Sequence, residues 1–265
     1  EILGSAQFGV EARKLYSDAQ AMLERFVQQG EISANAVYAL YPANSVGDDV
    51  EVYSDLERSK LLTKVHFLRQ QLKKAEGQAN HCLADYVAPK DSGIKDYFGF
   101  FAVTAGVGLE ALVAEFERDH DDYSSIMAKS LCDRLAEAFA ERLHFLVRTE
   151  FWGYAKDEKL SSVELIAEKY RGIRPAPGYP ACPDHSEKLE LFKVLDATTR
   201  AGITLTESFA MWPTAAVSGY YLAHPQAHYF GLAKIAKDQV ADYAKRRGVS
   251  IEQVERWLGP SLNYN

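Results

Sequence analysis

The sequence predicts an α+β fold in a single domain. Short β-like runs are few and irregularly spaced among longer helical segments, so a regular series of parallel β-α-β units is not indicated. The composition, 47% apolar and 25% charged over 265 residues, is that of an ordinary globular chain. No Gly/Ser-rich or charged linker divides it, and we therefore expect one domain over residues 1–265.

The first part of the chain predicts a helix, a hairpin and a second helix. Apolar side chains at helical spacing mark residues 8–29, and Gly30 stands where that helix would end. Two β-like runs at residues 37–41 and 50–53 flank a segment rich in turn formers, which is typical of a hairpin. Residues 56–74 return to helical spacing.

The middle of the chain predicts two strands and a long helix. Residues 83–87 predict a short strand, and the aromatic and β-branched run at 97–104 predicts a buried one. The apolar period of residues 123–148 predicts a helix about 39 Å long, roughly the diameter of a domain.

The last part predicts shorter elements, bounded by capping residues and by basic residues near a helix end. They are helices at residues 161–170 and 187–195, a strand at 215–223, a helix at 229–247, and a short helix between Ser250 and Pro260. Helices therefore outweigh strands along the sequence.

Charge and cysteine content exclude several classes of protein. With 30 Lys and Arg against 37 Asp and Glu, the net charge of −7 is the wrong sign for binding a nucleic-acid backbone. No apolar run approaches the ~20 residues that a membrane span needs, and no signal sequence is visible. The three cysteines, Cys82, Cys132 and Cys182, form no Cys-x-x-Cys pair, so we expect a cytoplasmic protein without disulfides.

A glycine pattern, Gly106-Val-Gly108-Leu-Glu-Ala111, resembles the phosphate-binding turn of dinucleotide-binding folds. Such a fold needs a second parallel strand that ends in an acidic residue about 20 residues later. A long helix is predicted there instead. We therefore interpret these glycines as a tight turn between a strand and a helix.

Residues 173–183 contain four of the nine prolines. Each proline fixes its own φ and restricts the residue before it, so the segment is stiff without being a helix or a strand. Arg174 offers a planar fork for a carboxylate, and Gly178 allows close approach to the backbone. A rigid surface connector or a PxxP ligand fits the same pattern. Cys182 and His185 lack a second pair of metal ligands, so no metal is expected.

Polar side chains on the long helix and aromatic side chains near the end of the chain are further candidates. Asp133, Glu137, Glu141 and His144 share one helix face, which is either solvated or able to bind an ammonium or sulfonium group. The late aromatic residues, Tyr229 and Phe230 among them, belong either to the core or to a pocket for a purine ring.

Several long motifs, in the same order, are similar to one known family. They include residues 41–44, 46–49, 68–71, 82–85, 133–141, 174–183, 208–213 and 254–258. Over about residues 8–264 the chain resembles the C-terminal activation domain of vitamin B12-dependent methionine synthase.

This resemblance implies a C-shaped α+β domain with a twisted antiparallel sheet and flanking helices, and no Rossmann fold. It implies part of a methyltransferase, 5-methyltetrahydrofolate–homocysteine S-methyltransferase, that binds S-adenosylmethionine and is not catalytically complete alone. A partner module would carry inactive cob(II)alamin, flavodoxin or a flavoprotein reductase would supply an electron, and the reduced cobalt would take the methyl group. Because both reactants are activated, the protein has to supply placement and no catalytic residue.

The resemblance also assigns roles to individual residues. Arg174 would pair with the methionyl carboxylate, and the backbone around Ala176 and Gly178 would hold the adenosine. Tyr179 would line the pocket, and Glu137 would face the amino group.

Two departures from the family pattern concern binding. Tyr229 would line the pocket, but Phe230 stands where the family commonly has a second tyrosine, so a hydroxyl contact is lost. The family also carries an upstream arm whose Asp-Trp segment contacts the ligand, and the sequence begins after that point. A scaffold that only docks a corrinoid protein or a reductase, without binding the ligand, is therefore the alternative hypothesis, ahead of a Rossmann-type enzyme.

Overall fold

The computed structural model describes residues 2–264 and centres on a five-stranded antiparallel sheet. Its strands are β1 (Ser33–Val46), β2 (Asp49–Tyr53), β3 (Leu61–His66), β4 (Asp96–Val107) and β7 (Ala216–Tyr221). They lie in the order β3-β2-β1-β4-β7, and each neighbouring pair is antiparallel. The short strands β5 (Thr204–Leu205) and β6 (Met211–Trp212) form a separate ribbon. The predicted mixed fold is confirmed, and the antiparallel order is incompatible with a Rossmann sheet.

Helices flank the sheet and supply the other half of each hydrophobic cluster. They are α1 (Gly9–Gln29), α2 (Leu109–Arg118), α3 (Asp122–Leu146), α4 (Ser162–Ile166), α5 (Lys188–Leu195), α6 (Ala197–Ala201), α7 (Lys237–Arg247) and α8 (Ile251–Leu258). A π-helical turn at Val147–Phe151 extends α3. No helix within residues 2–264 combines the length and the apolar character needed to cross a membrane.

Alternating side chains of β4 place core residues on both faces of the sheet. Phe98 and Phe100 pack into a cluster with α5 and α6, while Phe101 and Val103 pack under α3. A third cluster joins α1, α2 and α3, and a fourth joins α7 and α8. Helix α3 therefore covers the face of the sheet to which Phe101 and Val103 contribute.

Seven of the predicted elements were confirmed with small changes of boundary, among them the strands predicted at 97–104 and 215–223, which are β4 and β7, and the last short helix, which is α8. The helices predicted at 8–29 and 187–195 are α1 and α5, and the one predicted at 123–148 is α3 with the π-turn. The hairpin of β1 and β2 is also present, although β1 extends to Val46 and the turn is tighter than predicted. Gly108 precedes α2 with φ +95, and a Cβ there would lie 2.1 Å from the Glu31 carbonyl oxygen. The interpretation as a turn is confirmed for Gly108, whereas Gly106 lies within β4.

The helix predicted at residues 56–74 is wrong. The segment contains β3 and then continues without helix. Val65 and Phe67 are buried two residues apart, which is the period of a strand. The spacing of the leucines imitated a helix, but pairing with β2 decided the local structure. The strand predicted at 83–87 is also wrong: Leu83–Tyr86 is a 3-10 turn, closed by the Asp85 side chain accepting from the Cys82 backbone N–H.

Two predicted helices are shorter than expected. The one predicted at 161–170 ends at Ile166, and Glu168 then adopts a positive φ of 53. The one predicted at 229–247 begins only at Lys237. Residues before it are held instead by long-range backbone hydrogen bonds, such as Leu232 N–H to the Pro180 carbonyl at 3.0 Å. This non-helical segment contributes to the site described next.

Candidate functional site

The proline-rich segment, residues 173–183, is called the proline lip below. It begins as an extra strand beside the end of β7: Ile173 and Leu222 exchange backbone hydrogen bonds of 2.9 and 3.1 Å. The Pro175 carbonyl then accepts from Tyr220 N–H at 2.9 Å. Gly219 permits this approach, because a Cβ there would lie 2.5 Å from the Pro175 oxygen.

The rest of the proline lip is a tight turn. Gly178 N–H donates to the Cys182 carbonyl at 2.7 Å, and Gly178 has φ +99. A Cβ on Gly178 would lie 2.1 Å from the His185 ring. This glycine therefore makes room for His185, and the close approach of a ligand to its backbone stays a prediction.

A cavity of about 510 Å³ lies between the proline lip, α3 and the segment after β7. Six of the predicted residues line it: Glu137, Arg174, Ala176, Tyr179, Tyr229 and Phe230. Gly178 is not among the lining residues. The volume is within the range of small-molecule sites. The sequence thus indicated residues from three separate segments that the fold brings together.

Some lining residues were not predicted. Phe101 of β4 and Val217 of β7 form apolar parts of the wall, and Glu168 adds a second carboxylate beside Glu137. Glu168 follows the early end of α4, and its positive φ gives no signal in the sequence. The cavity therefore has two acidic side chains and one guanidinium on a largely apolar surface.

The guanidinium of Arg174 is held by three side chains. Its Nη2 lies 2.8 Å from Glu141 Oε2, and its Nη1 donates to Tyr170 Oη at 3.0 Å and to His144 Nδ1 at 3.2 Å. Its backbone N–H donates to Tyr229 Oη at 3.0 Å. A guanidinium has five N–H groups, and the two hydrogen bonds within residues 2–264 use those of Nη1, so two are left to bind a carboxylate once one N–H of Nη2 is assigned to the ion pair with Glu141.

A second arginine lies behind this group. Arg148 has no exposed surface and donates to both oxygens of Glu158, at 2.8 and 2.7 Å. Its guanidinium carbon is 4.2 Å from the centre of the Tyr170 ring, and its Nη1 is 3.7 Å from Glu141 Oε1. Glu141 therefore lies between two positive charges, which holds it away from the open cavity.

The polar face predicted on α3 divides along its length. Asp133 and Glu137 are exposed, Glu141 is half-buried, and His144 is fully buried. Burial, followed by the charges of Arg148 and Arg174, holds the pKa of His144 well below its usual value. Burial also raises the pKa of Tyr229. Both groups are therefore neutral at physiological pH.

Residues 2–264 contain no group of three His, Cys, Asp or Glu that could hold a metal ion. Cys182 is buried, and burial raises its pKa well above the usual value, while His185 Nδ1 is 2.9 Å from Lys188 Nζ. Cys182 is therefore part of the packed interior, and His185 is paired with Lys188.

The sequence of the chain matches one known protein family. The family described as vitamin B12 dependent methionine synthase, activation domain, matches residues 1–248. The chain belongs to this family. The resemblance seen in the sequence motifs is thereby confirmed for nearly the whole chain.

A solved activation domain has the same fold. The crystal structure of the MetH reactivation domain bound to AdoHcy is 53% identical in sequence, with a TM-score of 0.97. The match covers 100% of this chain and 81% of that chain. The α+β architecture with an antiparallel sheet is thus the architecture of an activation domain, and that relative was crystallised with S-adenosylhomocysteine.

Proposed function

We propose that the chain binds S-adenosylmethionine in the cavity beside the proline lip and acts as the reactivation domain of a cobalamin-dependent methionine synthase. The observation that carries this proposal is the charge arrangement of the cavity. Arg174 has two N–H groups to spare, and Glu137 and Glu168 line the same space. The methionyl part of the ligand carries one carboxylate and two cationic centres, which matches this set. The relative bound to AdoHcy supports the same ligand class.

Each end of the ligand has a proposed partner. Arg174 pairs with the carboxylate, and Glu137 faces the amino group. Tyr179, Tyr229 and Phe230 supply ring surface for the adenosine, whose polar edge meets the backbone around Ala176 and Gly178. The lining of the cavity by all of these residues except Gly178 supports this assignment.

The chemistry requires placement more than catalysis. When bound, S-adenosylmethionine supplies its sulfonium methyl group to the reduced cobalt of a cobalamin on a partner module, with the electron coming from flavodoxin or a flavoprotein reductase. The residues of this chain hold the methyl donor in one orientation. Their main contribution is therefore to reduce the entropic cost of orienting it for the reaction. The proline lip is suited to that task because its prolines and backbone hydrogen bonds limit its motion.

We also propose that the domain works in the cytoplasm. Its three cysteines are free and buried, as expected of a protein from a reducing compartment.

Equilibrium dialysis with S-adenosylmethionine labelled in its methyl group tests the proposal. We expect saturable binding to one site that S-adenosylhomocysteine displaces. Addition of a cobalamin-binding module and a flavodoxin reducing system should then move the label to the cobalamin. Absence of binding at millimolar ligand would reject the proposal and leave the docking scaffold as the better hypothesis.

A further inference from the structure

His144 is a buried polar residue to which the proposed function gives no part. It has no exposed surface. Its ring stacks on Tyr221, with centroids 5.2 Å apart and planes 15° apart, and meets the edge of Tyr170 at 5.1 Å. Its position is therefore fixed by packing on two sides.

The hydrogen bonds of His144 define its protonation. Arg174 Nη1 lies 3.2 Å from Nδ1, and an arginine can only donate, so Nδ1 accepts and carries no proton. The proton of the neutral ring is then on Nε2, which is 3.4 Å from Tyr154 Oη. Burial and two arginines disfavour the charged ring, in agreement with this assignment.

We propose that His144 is a positioning residue: its neutral imidazole fixes the rotation of the Arg174 guanidinium so that the two free N–H groups face the carboxylate of S-adenosylmethionine. This inference rests on the proposed function.

The choice of a neutral acceptor has a physical reason. Glu141 already binds Nη2 at 2.8 Å and offsets part of the arginine charge. A second carboxylate on Nη1 would leave little net attraction for the carboxylate of a ligand. The imidazole satisfies the buried N–H without removing more charge, and with Tyr170 it fixes the plane of the guanidinium at a second nitrogen.

The test compares two ligands that differ in one group. Decarboxylated S-adenosylmethionine keeps the sulfonium, the amine and the adenosine, and lacks only the carboxylate. In His144→Phe, which keeps a ring but has no acceptor, we expect the affinity for S-adenosylmethionine to fall about tenfold. The affinity for the decarboxylated ligand should stay within about twofold of the wild type, since it makes no contact with Arg174.

His144→Asn is the matched control. Its side-chain oxygen can occupy the place of Nδ1, so we expect it to recover most of the affinity for the carboxylate-bearing ligand. Equal losses for both ligands, or no rescue by asparagine, would overturn the positioning role while leaving the proposed function intact. A wild-type protein that binds neither ligand would overturn both.

A third variant keeps the inference testable if either substitution at His144 prevents folding. Tyr154→Phe removes only the hydroxyl that pairs with Nε2, so the tautomer that accepts from Arg174 is favoured less strongly over the one with its proton on Nδ1. We expect a smaller loss of affinity, again confined to the ligand with a carboxylate. An unchanged ratio of the two affinities in this variant would also contradict the inference.

Discussion

Arg174 is the residue on which ligand binding depends most directly. We expect Arg174→Ala to weaken the binding of S-adenosylmethionine by about 1.5–3 kcal/mol, or roughly 10- to 150-fold, the scale of a hydrogen bond to a charged group. Isothermal titration calorimetry measures this change. Arg174→Lys is the control, because it keeps the charge and loses the planar fork, and it should recover only part of the affinity. Unchanged binding in Arg174→Ala would contradict the role of this residue.

Gly178 and Gly202 provide a matched pair for testing the proline lip. Both have positive φ, +99 and +72, but a Cβ on Gly178 would lie 2.1 Å from His185, whereas Gly202 has nothing within 4 Å. Gly202→Ala should cost about 1 kcal/mol of unfolding free energy from backbone strain alone. Gly178→Ala should cost about 2 kcal/mol more, since His185 has to move. Urea denaturation gives both values, and equal losses would show that His185 moves freely.

Residue identity predicted which side chains line the cavity better than it predicted which side chains are buried. Arg174, Glu137 and Tyr229 could be predicted because a guanidinium, a carboxylate and a phenol imply recognisable chemistry. His144 looked the same as Glu137 on the helix face, because helical spacing shows which residues share a face and not which of them another element covers. Glu168 gave no signal, since an exposed acid after a short helix is common.

At the scale of elements, a buried cluster joins α7 to the end of the proline lip. Arg247 Nη1 lies 2.8 Å from Asp184 Oδ2 and 2.6 Å from Glu187 Oε1, and Tyr243 Oη is 2.9 Å from Asp184 Oδ2. Two carboxylates thus share one guanidinium. Burial is the largest influence on Glu187, and although Arg247 opposes it, the pKa of Glu187 is raised to about 8.

This cluster predicts how stability depends on pH. The folded-state pKa of about 8 exceeds that of an unfolded glutamate, about 4.3, so the folded protein holds this proton more tightly. The contribution of Glu187 is therefore most favourable below about pH 4.3 and declines as the pH rises towards 8. Glu187→Gln should match the wild type in melting temperature near the acidic end of this window and exceed it above the upper end. If the melting temperatures of the two proteins changed with pH in the same way across this range, that result would contradict the assignment.

Element boundaries were least predictable where distant residues pair. The segment at 56–74 had helical spacing, but pairing with β2 makes Leu61–His66 within it a strand. Residues 229–236 were predicted to begin a helix, yet hydrogen bonds to the proline lip and to the last turn of the chain hold them in a non-helical conformation. The capping residue Ser250, by contrast, acts within its own helix, and α8 begins where the sequence predicts.

At the scale of the whole molecule, the cavity joins parts of the chain that are far apart in sequence. A ligand bound to α3, the proline lip and Tyr229 binds the folded state alone, so it should raise the melting temperature. At a ligand concentration of 100 times Kd the gain is about 2.7 kcal/mol. For a chain of this size that corresponds to a shift of roughly 5–10 °C.

Differential scanning fluorimetry measures this shift. Arg174→Ala at the same ligand concentration should show a clearly smaller shift, because less of that variant is bound. An equal shift in the two proteins would place the ligand elsewhere on the molecule.

The fold class followed from the sequence, and the arrangement of the sheet did not. Few strands among long helices indicated an α+β domain, since that pattern depends on local propensity. The placement of β4 beside β1, the placement of β7 beside β4 and the docking of the proline lip on β7 depend on contacts between residues that are more than 40 positions apart, such as Ile173 with Leu222. Periodicity carries no information on such pairs.

The pairing of the proline lip with β7 has one more consequence. β7 is the last strand of the sheet, so its outer backbone groups would otherwise be open to any extended chain. Residues 173 and 175 occupy the groups near Tyr220 and Leu222, and prolines offer no N–H with which a further strand could pair. The wall of the cavity is thus also a barrier against edge-to-edge aggregation, and damage to it would reduce solubility as well as affinity.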